Sequence, residues 1–70
     1  MFKNYNKLNR LNNEVNNVLF LNKSYLELLE FEHELINKGV EVPQEIKLNL
    51  VSLKLSIETL TNKIKEQINA

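Results

Sequence analysis

The chain has no cysteine, which removes disulfide frameworks and thiolate metal sites. It has one glycine, too few for a phosphate-cradling loop. Histidine also occurs once, and Ser24 and Ser52 have no Gly-rich elbow and no nearby base pattern, so nucleophilic catalysis finds no support. His33 has Glu30 and Asn37 on its helical side, but one imidazole with one carboxylate reads as a packing residue before a metal site. No run of about 18 apolar residues occurs, so no membrane-spanning helix is expected. The start, Met1-Phe2-Lys3-Asn4-Tyr5, is rich in asparagine and lacks the apolar stretch and cleavage site of a secretory signal, which makes a cytoplasmic location the default. These gaps point to a protein without enzymatic activity, metal or cofactor. Two helices would not easily enclose a substrate pocket either.

What is present is one stop-and-restart signal, Asn37-Lys38-Gly39-Val40-Glu41-Val42-Pro43, between two long segments free of glycine and proline. Gly39 suits the left-handed residue that ends a helix, with Val40 folding back on Leu35 in a Schellman cap. Pro43 suits the first position of a second helix, where its missing N–H costs nothing, and Gln44 and Glu45 suit the exposed amide end. The fold class is therefore all-α: an antiparallel helical hairpin in a single domain, residues 1–70, with its bend at 38–42. The first helix is expected over about 3–37 and the second over about 43–68. The Asn12-Asn13 and Asn16-Asn17 pairs are poor helix-interior residues, so a break near 12–17 is an alternative.

In the second helix Ile46, Leu50, Leu53, Ile57, Leu60, Ile64 and Ile68 recur at three- and four-residue steps, a coiled-coil seam. The first carries a looser seam, Leu8, Leu11, Val15, Val18, Asn22, Tyr25, Leu29 and Ile36, which shifts near its end to Leu26, Leu29, His33 and Ile36. Asn22 and Tyr25 are read as edge residues. Each helix has a second apolar line: Leu21, Leu28, Phe31 and Leu35 in the first, Leu48, Val51 and Leu55 in the second. A hairpin needs one face per helix, so the second lines are expected to form a dimer or partner interface, most simply by pairing two hairpins into a four-helix bundle. Covering them supplies several kcal/mol at about 25 cal/mol per Å² of apolar surface, comparable with the stability of so short a chain. In layout the expected hairpin resembles small dimeric helical-hairpin regulators; the likeness is architectural and carries no binding residue with it.

The net charge of zero hides a dipole. Residues 1–23 hold Lys3, Lys7, Arg10 and Lys23 against Glu14, whereas Ser24 to Glu45 hold six glutamates against Lys38. A hairpin gathers both basic stretches at its open end and leaves the bend acidic. For the first helix this opposes the macrodipole, and two hairpins packed antiparallel would recover the loss. The second helix also falls short of the first, leaving about twelve residues, or ~18 Å of helix, without an intramolecular partner.

The leading functional expectation is a protein–protein interaction module, an adaptor, inhibitor or assembly factor, that pairs with itself and with a protein partner through apolar helix faces. A second expectation is a small nucleic-acid-binding regulator, in which Lys3, Tyr5, Lys7 and Arg10 meet phosphates and bases. A third is a structural subunit of a larger assembly such as a phage particle, since the Asn, Lys, Ile and Leu bias suits a phage or low-GC bacterial genome.

Overall fold

The computed structural model describes residues 2–69, with side chains from Lys7 onward. Two helices, α1 (Phe2–Asn37) and α2 (Gln44–Asn69), pack against each other as a hairpin, and the described residues contain no strand. The hairpin is a rod, 57 Å long and 15 by 14 Å across. α1 runs unbroken through Asn12-Asn13 and Asn16-Asn17. Packing against α2 overrides the weak local propensity of these asparagines.

The bend is built from backbone hydrogen bonds. The Gly39 N–H donates to the Ile36 carbonyl at 3.0 Å and the Val40 N–H to the Leu35 carbonyl at 2.9 Å, the bond pair of a Schellman cap. Gly39 has φ of 72°, the left-handed conformation that this cap requires. On the far side the Pro43 carbonyl accepts from the Ile46 and Lys47 N–H groups at 3.1 and 3.4 Å. Pro43 is therefore the cap residue just before α2 and not its first turn position. Val42 and Ile46 are half-buried where the chain re-enters the hairpin.

α2 buries the line expected of it from Ile46 to Ile64. Ile68 is the exception: it is 67% exposed, and half-buried Gln67 takes the inner place. A seam alternates steps of three and four, so the step after Ile64 falls on 67. α1 departs further from expectation. Its inner face is Leu11, Glu14, Val18, Leu21, Tyr25, Leu28, Glu32 and Leu35, all half-buried at unbroken alternating steps. Val15, Asn22, Leu26, His33 and Ile36, expected in the seam, are exposed, whereas Leu21, Leu28 and Leu35, expected on an outer face, lie within it. The observed line keeps Asn22 and His33 in water and accepts two glutamates whose long stems cover apolar surface.

One seam makes a thin core. Among the described residues Leu50 alone is buried, at 8% exposure. The chain exposes 5939 Å², while a folded monomer of its 8.2 kDa mass is expected to expose about 4,500 Å², an excess of roughly 1,400 Å². The bend is the joint on which this thin packing hangs. A Cβ added at Gly39 meets nothing within 4 Å, so Gly39→Ala carries only the backbone penalty. We expect it to cost about 1 kcal/mol in urea unfolding, and Gly39→Asn to cost less because asparagine tolerates the left-handed region.

Candidate protein interaction surface

The seam leaves a second line on α1. Leu8, Val15, Leu19, Leu26 and Ile36 are exposed, with Leu19 and Leu26 at 60% and 59%, and half-buried Leu29 lies among them. With Asn12, Asn22 and His33 these residues repeat at steps of four and three from 8 to 36, as regularly as the seam itself. At 100° per residue the line runs about a quarter-turn round α1 from the seam. It therefore faces out of the plane of the hairpin, along nearly the whole helix. α2 adds Leu48, Val51 and Leu55, each 58% exposed, on its outer side near the bend. Of the residues expected at an interface, Phe31, Leu48, Val51 and Leu55 are thus on the surface, and Leu21, Leu28 and Leu35 are turned towards α2. Leu8, Val15, Leu26 and Ile36 belong to the expected seam of α1 yet lie on the surface, and exposed Leu19 and Phe20 belong to neither expected line.

The opposite side is mixed: Phe20 and Phe31 are exposed on it, at 69% and 48%, among polar residues. One open groove is lined by Ser24, Glu27, Asn49 and Ser52 over Leu28 and Leu53. Another has Ser52, Ser56 and Thr59 beside Leu21, Leu55 and Leu60. Thr59 Oγ1 donates to the Leu55 carbonyl at 2.9 Å, and Thr61 Oγ1 to the Ile57 carbonyl at 2.7 Å, so both hydroxyls are satisfied within α2. Among the described residues no group of three His, Cys, Asp or Glu side chains could hold a metal ion, and no helix is long and apolar enough to cross a membrane.

The open end is fixed by one cross-helix pair. Gln67 Nε2 donates to both oxygens of the Glu14 carboxylate, at 3.1 and 2.9 Å. Gln67 Oε1 is buried without a partner. The carboxylate sets this orientation, because a flipped amide would turn oxygen towards oxygen. The pair also fixes register: facing residue numbers sum to about 81, as 14 and 67 do. Asn69, the last residue of α2, then lies opposite position 12, and α1 projects beyond it by about ten residues, or ~15 Å. Lys7 and Arg10 are exposed on this projection, and Lys7, Leu8 and Leu11 share an open groove with Gln67 and Ile68. Lys3 and Tyr5, expected to reach nucleic acid with them, belong to the same helix, but their side chains lie outside the described residues.

No protein-family model matches the chain, and no curated protein or solved structure is significantly similar to it. The surface must be read from its own chemistry.

The register pair gives a direct test. Gln67→Glu sets two carboxylates together and is expected to lower stability by about 1 kcal/mol at neutral pH, while the double variant Glu14→Gln/Gln67→Glu restores most of it. Urea unfolding of the four proteins in the cycle measures the coupling. A coupling energy near zero would show that the pair does not hold the register.

Proposed function

We propose that this protein is a non-enzymatic protein–protein interaction module, in the manner of an adaptor, inhibitor or assembly factor, which works by offering the outer apolar line of α1 to another protein chain. The observation that carries the reading is the pairing of a nearly absent interior with a regularly spaced, mainly apolar exposed line: Leu50 is the one buried residue among those described, yet Leu8, Leu19, Leu26 and Ile36 are each more than half exposed. Exposed apolar residues repeating along a helix at steps of three and four are characteristic of helix-binding faces. Acidic and basic ends on one rod add orientation to that contact.

The test is a pair of charged substitutions on the line, Leu19→Glu with Leu26→Glu. Both side chains point away from α2, so the helical circular dichroism of the isolated hairpin is expected to change little. Capture of the wild-type protein's partner, whether a second copy or another chain, is expected to fall by at least ~100-fold in affinity, the scale of two hot-spot losses. Unchanged assembly in this variant would refute the reading.

A second reading, a nucleic-acid-binding regulator, is favoured by one feature, the exposed Lys7 and Arg10 on the part of α1 that projects past α2. It predicts binding to DNA or RNA at low salt that falls steeply with added salt, and loses about two units of slope on a log–log plot when Lys7 and Arg10 are both replaced by glutamine. Absence of binding at low salt would eliminate it.

A further inference from the structure

Resting on the reading above, we propose that the occupant of the apolar line is a second copy of this chain, packed antiparallel with α1 on α1 and with Asn22 of each copy beside the two-fold axis. An isologous contact must be self-complementary, each residue meeting its counterpart under the rotation. Reversing α1 about position 22 brings Leu8 to Ile36 and Val15 to Leu29, and sets Leu19 within one residue of Leu26, so apolar residues meet apolar ones. The polar positions meet as well: Asn22 comes to itself and Asn12 to within one residue of His33. Sliding the copies by one heptad sets Asn22 against Val15 or Leu29, which strands an amide on apolar surface. Two facing asparagine amides satisfy each other, each with a donor and an acceptor, and such a pair is a known means of fixing register at a cost in stability.

Charge decides between the two directions. With bends together, Glu27, Glu30 and Glu34 of one copy would lie beside the same residues of the other, and Lys7 and Arg10 beside Lys7 and Arg10. With bends apart, the acidic end of each copy lies along the basic end of its partner. The same reversal places the projecting start of α1 alongside the partner's bend, where Ile36 offers exposed apolar surface to Leu8.

Light scattering on the eluted protein, combined with pulsed electron–electron distance measurement, tests this directly. The chain has no native cysteine, so a single spin label can be introduced at Asn9→Cys or at Lys23→Cys, both off the apolar line. We expect a dimer at micromolar concentration, a short label separation at Lys23 and an axial separation of about 40 Å at Asn9, twenty-six residues of helix. Raising the salt concentration is expected to weaken the dimer several-fold, and Asn22→Asp, which sets two carboxylates at the axis, to weaken it by ~10-fold or more. A short separation at both sites would overturn the antiparallel arrangement. A monomer would overturn the second copy altogether. A monomer that still retains a different chain, and loses it in the Leu19→Glu/Leu26→Glu protein, would leave the interaction module standing and this proposal fallen; a monomer with no partner of any kind would end both.

Discussion

A pair of helices can bury only one seam, and the architecture of this protein follows from that limit. Along the hairpin the facing side chains are half-covered, and only Leu50, towards the bend, is removed from water among the described residues. The folded chain hides about half of what its extended form would expose, short of the ~60% that a domain near this length achieves. No disulfide supplies the difference, because the chain has no cysteine. The apolar side chains that the seam leaves out stand on the outside of α1 at a spacing as regular as that of the seam itself.

The two ends of the rod are held by different physics. At the bend the backbone does the work: the left-handed Gly39 lets two N–H groups close back on the last turn of α1, and the reversal is complete before Pro43. At the open end a side-chain pair does it. Glu14 and Gln67 join the helices near the last turn of α2, and they hold the register where the seam has run out of apolar residues. Between the ends, charge is distributed against the interest of the isolated helix. α1 has no acidic residue in its first turn and no basic residue in its last, so its macrodipole is left uncompensated. The loss is a few tenths of a kcal/mol per group, small enough to be offset by one intermolecular alignment that sets opposite ends together.

The fold was legible in the sequence because its punctuation is so sparse. One glycine and one proline, four residues apart, mark the bend, and the seam of α2 runs unbroken from Ile46 to Ile64 while its second apolar line stops at Leu55. The face of α1 was not legible, for a definite reason. α1 carries two apolar lines of equal regularity, and each is interrupted by polar residues: Glu14 and Glu32 in one, Asn12, Asn22 and His33 in the other. Charge at seam positions argues for the wrong line when α1 is read alone. Read together with α2 the ambiguity lifts, since Gln67 continues the α2 seam at its open end and supplies the hydrogen-bonding partner that makes Glu14 tolerable there. That signal is a cross-helix match between two polar residues, which periodicity along one helix does not contain. The consequence for the surface is an exchange: Leu21, Leu28 and Leu35 go inside, and Leu8, Val15, Leu26 and Ile36 come out.

The same asymmetry assigns different work to the two helices. α2 has a full seam and an apolar patch only near the bend, whereas α1 has two full lines and is suited to lie between neighbours. An isolated α1 would be a weak helix, because asparagine recurs through its first half and lone helices in water are marginal even with better sequences. Docking α2 along one side orders α1 before any partner arrives and removes much of the entropy cost that a disordered segment would meet on binding. α2 is thus best understood as a brace for α1. The brace ends with Asn69 opposite position 12, and Lys7, Leu8 and Leu11 of α1 still share a groove with Gln67 and Ile68 of its last turn.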